Sequence, residues 1–171
     1  LRETRSGVLL DDGPILLTGA GGFVGSHMMT ELGMGRGDVA ADARSGYPVP
    51  EGVDRIVWDL PSACPGLPDG FRYVVHLAAL SSVSRSWRDA VRTWEVNLLG
   101  TLSVLEYVSD RCPGARLLFV GTSDAYGSCG GTITEETPLA PGSPYGASKA
   151  AAEIAVLQTA RSSGIDAVAT R

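Results

Sequence analysis

Tyr145 and Lys149 stand four positions apart in Ser143-Pro144-Tyr145-Gly146-Ala147-Ser148-Lys149. On a helix this spacing puts the phenol and the amine on one face, a turn apart. A phenol titrates near pH ~10 and is a poor acid or base at neutrality. A neighbouring ammonium favours the phenolate and brings that proton within working range. Such a pair can pass a proton to or from a carbonyl or alcohol oxygen, and the amine can also bond a ribose hydroxyl. Upstream, the apolar run at 116–121 ends in Thr122, Ser123 and Asp124. A hydroxyl at that tip, Thr122 first, can hydrogen-bond the same reacting oxygen. Ser143 and Pro144 are the residue types of a helix N-cap and first turn, so the helix that carries the pair begins just before it.

A second chemical feature lies near the start, in the segment 15–27 that reads ILLTGAGGFVGSH. Gly19, Gly22 and Gly25 follow a strand-like run and open a helix-like one, spaced GxxGxxG, and Gly21 adds a fourth glycine. A tight turn, a close backbone approach to a pyrophosphate and close helix–sheet packing each ask for glycine. The free N–H groups of the helix start suit the phosphates. This cradle, with Phe23 and Val24 between its last two glycines, is read as a dinucleotide site. For the adenosine end, Asp42 can serve as a ribose carboxylate and Arg44 as the partner of a 2′-phosphate. With Val39 as the strand core, the strand tip is expected at Ala43, small and neutral, which favours NADP through Arg44. Asp59 is expected at the adenine.

The elements that must position these groups are legible as apolar runs. Five stand out, at 14–18, 38–41, 55–58, 72–79 and 116–121, with a weaker sixth at 166–170. Most are continuous rather than alternating, as in strands covered on both faces of a parallel sheet. Helical patterns lie at 23–32, 87–111 and 143–164, the last ending at Gly164. Strands alternating with helices predict an α/β, doubly wound Rossmann-type parallel sheet with flanking helices. The expected division is an N-terminal extension at 1–13 and an NAD(P)-binding domain at 14–171.

Composition narrows the function classes. The 171 residues carry a net charge of −5, without a long basic run, so nucleic acid and anionic membranes are poor partners. No apolar run approaches the ~20 residues of a membrane span. Three cysteines, Cys64, Cys112 and Cys129, with no CxxC, and two histidines, His27 and His76, argue against a disulfide framework or a metal site. A reducing, cytoplasmic setting is expected.

Five motifs in this order, TGAGGFVG (18–25), HLAA (76–79), NLLGT (97–101), GTSDAYG (121–127) and SPYGASK (143–149), resemble the extended short-chain dehydrogenase/reductase family, the NAD(P)-dependent epimerases and dehydratases. The resemblance runs from Ile15 onward. It implies that Thr122, Tyr145 and Lys149 form a catalytic triad and that Asn97 shapes the active-site helix and a proton relay. It also implies that Gly19, Gly22 and Gly25 hold the pyrophosphate, that Leu77, Ala78 and Ala79 line the cofactor, and that Asp59 and Leu60 meet its adenine. Ser81, Ser82, Ser123 and Asp124 would face a sugar, and His76 becomes a strand residue rather than a catalyst.

Within the family, the segments 77–87, 93–106 and 116–153 look most like GDP-4-keto-6-deoxy-mannose reductases, which reduce a C4 ketone of a nucleotide sugar with NADPH or NADH. Sugar-nucleotide 4,6-dehydratases and 4-epimerases are the alternatives of the same chemistry. A non-catalytic dinucleotide-binding protein or fragment is the alternative of another class. Family members often dimerise through two long helices, here 87–111 and 144–163, so a homodimer is expected. They also run well past the position of Arg171, which implies that most of the substrate-binding portion is absent from this chain.

Overall fold

The computed structural model describes residues 2–7 and 9–171. Six parallel strands form the central sheet: β3 (Ile15–Thr18), β4 (Val39–Asp42), β5 (Asp54–Val57), β6 (Tyr73–His76), β7 (Arg116–Val120) and β8 (Asp166–Thr170). Their order is β5-β4-β3-β6-β7-β8. The chain starts in the middle, works out to one edge, then returns and works out to the other. The order therefore reverses between β3 and β6, and the carboxyl ends of those two strands flank the crevice where such sheets take ligands.

The continuous apolar runs have the expected cause. Leu16, Val74, Leu117 and Phe119 point to one face and pack with Val104, Val108, Ala152 and Val156. Ile15, Leu17 and Val75 point to the other and pack with Met29, Met34 and Tyr47. Each fully buried aliphatic side chain stabilises the fold by roughly 1.5–3 kcal/mol, so both faces of the central strands must be apolar.

Helix α1 (Phe23–Glu31) follows the glycine loop, and its contact with β3 requires Gly25. A Cβ there would collide with the Gly19 carbonyl and would lie 2.7 Å from Ala20 Cα. On the opposite side of the sheet lie α4 (Gly100–Arg111) and α5 (Pro144–Ser163). The Ser143 hydroxyl caps α5 by accepting from the Gly146 N–H at 3.0 Å, and Gly164 ends it at φ +73°.

Two details depart from the sequence reading. The helical stretch expected over 87–111 is broken. A short helix, α2 (Val83–Ser86), is capped by Ser82; α3 (Ala90–Trp94) is capped by Asp89; a π-helical turn, Glu95–Leu99, then leads into α4. Trp87 falls between α2 and α3, because Asp89 accepts from the Arg92 N–H and starts the helix anew. Strand β4 ends at Asp42, so Asp42 and not Ala43 holds the strand tip. Before residue 14, the described residues also pack on the domain. Its strands β1 (Arg2–Glu3) and β2 (Leu9–Leu10) pair antiparallel, and the Arg5 and Asp11 N–H groups donate to the Glu31 carbonyl and the Tyr73 hydroxyl.

Candidate active site

The glycine loop shapes its own cradle. Gly19 takes φ +71°, and a Cβ on it would lie 2.6 Å from the Ala78 nitrogen. The loop therefore abuts the end of β6, and Leu77, Ala78 and Ala79 line its flank, half-buried. Gly22 is the N-cap of α1 and offers no side-chain acceptor, so the first-turn N–H groups lack a cap. A Cβ on Gly22 would meet only the Gly19 carbonyl, at 3.2 Å, and Phe23 and Val24 beside it are exposed. These residues fit a dinucleotide diphosphate: donors without acceptors, at the positive end of a helix, in an open glycine cup.

Asp42 joins this loop to the next strand. Its Oδ2 accepts from the Gly21 N–H at 3.0 Å, and its Oδ1 accepts from the Arg44 backbone N–H at 3.0 Å and from Arg44 Nε at 2.9 Å. The carboxylate is 9% exposed while the Arg44 side chain is 63% exposed. The pair holds the Arg44 guanidinium above its ordinary pKa through the hydrogen bond to Asp42. The strand tip therefore carries a neutralised carboxylate with an outward guanidinium. Asp59 is exposed and pairs with Arg92 at 3.2 Å. Leu60 is buried in the core, where it packs against Gly100.

Deeper in, a polar path crosses the apolar sheet. His76 Nδ1 lies 2.6 Å from Thr18 Oγ1, and Nε2 lies 2.9 Å from Thr101 Oγ1. The Thr101 hydroxyl donates to the Asn97 carbonyl at 2.6 Å. It must then accept from His76, which puts the proton on Nε2 and makes Nδ1 the acceptor from Thr18. The ring is fully buried, and desolvation, aided by the Lys149 charge, pushes its pKa down to about 3. His76 is a neutral strand residue, as the family resemblance implies.

Asn97 continues the path within the π-helical turn. It is 1% exposed; its Oδ1 accepts from the Leu80 N–H at 2.8 Å, and its Nδ2 donates to the Leu80 carbonyl at 3.1 Å and to Ser148 Oγ at 3.0 Å. Ser148 donates in turn to the Tyr145 carbonyl at 2.8 Å. A single amide thus ties the loop after β6 to the first turns of α5. π turns of this kind recur at functional sites.

Tyr145 and Lys149 both lie on the buried side of α5. The Lys149 ammonium sits over the Phe119 ring at 4.2 Å, and the residue is only 3% exposed. Among the described residues no carboxylate pairs with it, and burial lowers its pKa to about 8. Gly146 brings α5 against the turn after β7: a Cβ on it would lie 2.7 Å from the Asp124 carbonyl. That turn, a 3-10 segment at Ser123–Tyr126, is capped by Thr122, whose Oγ1 accepts from the Asp124 N–H and donates to Asp124 Oδ2, both at 3.2 Å. Thr122 is half-buried, and Ser123 and Asp124 are exposed.

The structure thus gathers the glycine loop, Leu77–Ala79, Asn97, the Thr122–Asp124 turn and the Tyr145/Lys149 face around one end of the sheet. It does not bring Ser82 to a free position, since its hydroxyl caps α2 by accepting from the Arg85 N–H; Ser81 is exposed. The sequence reading passed over Thr18, Thr101, Ser148, Tyr126, Glu153 and Arg171. Only Glu153 carried a signal, four positions beyond Lys149 on the same helix face.

Residues 15–171 match the NAD dependent epimerase/dehydratase family. The chain belongs to that family. It is 36% identical over 148 residues to a GDP-6-deoxy-D-mannose reductase of Pseudomonas aeruginosa, covering 84% of this chain and 46% of that protein. It is 38% identical over 173 residues to a dTDP-glucose 4,6-dehydratase of Streptomyces griseus, covering 92% and 52%. Among solved structures, DesIV, a dTDP-glucose 4,6-dehydratase from Streptomyces venezuelae with NAD and TYD bound, superposes with TM-score 0.83 at 30% identity, covering 92% of this chain and 55% of that one. RMD from P. aeruginosa complexed with NADPH superposes with TM-score 0.72 at 27% identity, covering 94% and 53%. The chain spans about half the length of these relatives.

The unpaired Lys149 sets an expectation for the protein without ligand. The unfolded chain keeps the lysine proton up to its ordinary pKa of 10.5, while the folded chain releases it near 8. In that window the unfolded state binds more protons, so stability rises with pH from about 8 to about 10.5. Lys149→Met should remove this rise and stabilise the ligand-free fold at neutral pH by on the order of 1–3 kcal/mol. Urea melts of both proteins between pH 7 and 10.5 measure it; a Met variant less stable at pH 7, with the same slope, would contradict it.

Proposed function

We propose that this chain is the cofactor-binding part of an NAD(P)-dependent nucleotide-sugar oxidoreductase that reduces the C4 ketone of a GDP-4-keto-6-deoxy-hexose. The observation that carries the reading is the nearly buried Lys149 ammonium, without a carboxylate partner among the described residues, on the same face of α5 as Tyr145 and beside the turn that presents Thr122. A fold does not retain an uncompensated cation at its centre for stability. It is retained where a developing negative charge needs it.

Gly19, Gly22, Phe23, Val24 and Gly25 would hold the cofactor diphosphate, Asp42 and Arg44 its adenosine end, with Asp59 at the rim, and Leu77–Ala79 its flank. When bound, the nicotinamide supplies the hydride. Tyr145 donates a proton to the ketone oxygen as it becomes an alkoxide. Lys149 stabilises the phenolate left behind. Thr122 orients the ketone by exchanging its bond to Asp124 for one to the substrate. Asn97 holds α5 in place through Ser148. Ser81, Ser123 and Asp124, exposed beyond the turn, would meet the sugar. The reductase reading is supported by the relative from P. aeruginosa. The dehydratase reading keeps Asp124 as its acid and is supported by the relative from S. griseus.

For the cofactor, NADPH is favoured and NADH is the alternative. Support comes from Arg44: Asp42 spends its charge on Arg44 and Gly21, so it opposes a 2′-phosphate weakly, and the guanidinium stays accessible. The partner is a second copy of the chain. Val91 and Leu102 on the α3–α4 segment and Ile154 on α5 are exposed apolar residues on neighbouring helices. Cys64, Cys112 and Cys129 are all free, which supports the cytoplasm as its setting.

Tyr145→Phe should lower turnover of GDP-4-keto-6-deoxy-mannose at least a hundredfold while NADPH binding stays within about twofold; unchanged turnover would refute the assignment. Stoichiometric NADPH consumption is expected of a reductase, and its absence during turnover would leave the dehydratase or epimerase reading. Arg44→Ala should weaken NADPH about tenfold and NADH little, by fluorescence titration; equal losses would remove Arg44 from the phosphate site. Ile154→Glu should shift the sedimentation coefficient from dimer to monomer without lowering Tm; a variant that stays dimeric excludes this helix face.

A further inference from the structure

The turn after β7 is wedged by its neighbours as well as capped by Thr122. A Cβ on Gly121 would collide with the Thr170 carbonyl, one on Gly127 with the Ala140 carbonyl, and one on Gly146 would lie 2.7 Å from the Asp124 carbonyl. Backbone therefore touches backbone on three sides of Ser123–Tyr126. Contacts this close leave no side chain to take up slack, so a small shift of one neighbour moves the whole turn.

One buried polar group joins those neighbours. Glu153 is 3% exposed, two turns beyond Tyr145 on the same face of α5. Arg171, just past β8, donates to it from Nε at 2.9 and 3.0 Å and from Nη2 at 2.6 Å. The remaining nitrogen, Nη1, donates to the Tyr126 hydroxyl at 2.9 Å and to the Glu135 carbonyl at 3.1 Å. The guanidinium also lies over the Tyr126 ring, 5.3 Å from its centroid. One planar fork thus spans α5, the catalytic turn, the loop that returns to α5 and the end of β8. Lysine donates from a single nitrogen and has no planar fork to pair with a carboxylate while reaching a second partner on its other side.

We propose that Glu153, Arg171 and Tyr126 form a positioning clamp that fixes the Thr122–Asp124 turn against Tyr145, so that turnover depends on the clamp while cofactor binding does not. None of the three touches the glycine loop, which lies on the far side of β6. Tyr126 ends the segment that Thr122 begins, and Glu153 sits on the helix that presents the phenol. The clamp therefore sets the spacing between the group that orients the ketone and the group that protonates it. Misplacement of such a pair by about 1 Å can cost a hundredfold in rate. The inference rests on the role proposed above for Tyr145.

The test uses the active enzyme with GDP-4-keto-6-deoxy-mannose and NADPH. Tyr126→Phe removes one hydroxyl and keeps the ring. It should lower kcat about tenfold or more, with the Kd for NADPH within twofold and Tm nearly unchanged. Arg171→Met should lower kcat further, and Arg171→Lys should recover only part of that loss. Rates are counted per NADPH-binding site, so that unfolded protein does not contribute. A kcat per site that stays at the wild-type value in Tyr126→Phe and in both Arg171 variants, whatever happens to Tm, overturns the clamp and makes these residues purely structural. Tyr145→Phe run in parallel separates the two ideas. If it is inactive while the clamp variants are fully active, only the clamp falls. If it is itself active, the reading of the site falls and the clamp with it.

Discussion

Everything at the candidate site depends on a polar path laid through an apolar interior. A sheet covered on both faces offers no water to its central residues, so any hydrogen-bonding group there must find protein partners. Thr18, His76, Thr101, Asn97 and Ser148 satisfy one another from β3 to α5, and no buried side-chain polar atom among the described residues is left without a partner. Direction matters as much as connection. The Thr101 hydroxyl is committed to the Asn97 carbonyl, which fixes the tautomer of His76, which fixes Thr18. Depressed basicity keeps that histidine neutral, so the path does not acquire a second positive charge beside Lys149.

Lys149 is the counterweight. Burial without a carboxylate partner destabilises the ligand-free fold, and the ring of Phe119 offsets only part of that. The surrounding core can bear this. Every residue of β3 and Val74, Val75 and His76 of β6 are buried, and α5 is capped at both ends by its own sequence. The same helix that carries the buried cation is thus held by Ser143, Gly164 and Asn97, none of which brings a carboxylate to the ammonium.

Much of this was legible in the residues. The six parallel strands fall on the six apolar runs, continuous in β3, β4 and β6, which are covered on both faces, while β5 and β8 at the edges are largely exposed. The start and end of α5 follow from Ser-Pro and Gly. Legibility stopped where tertiary contacts override local pattern. Nothing in the order of Ala41, Asp42 and Ala43 shows that the strand stops at Asp42, whose carboxylate bonds the Gly21 N–H. Leu60, placed near the adenine by the family resemblance alone, is a buried residue for which the small Gly100 makes room, and no local pattern shows that contact. Arg171 and Tyr126 lie 45 positions apart, and no spacing rule joins them. The chemistry-bearing pair was visible because one helix turn brings it together; the residues that steady it were not, because only the closed sheet does.

The widened turn at Glu95–Leu99 has a consequence of its own. One additional residue in a helical turn delays everything after it by about 100° around the axis. Thr93, Asn97 and Thr101 are all buried at intervals of four, a spacing slightly longer than the 3.6 residues of an α-helical turn. The widened turn takes up that excess, so one buried line runs from the amide of Asn97 on through Val104 and Val108.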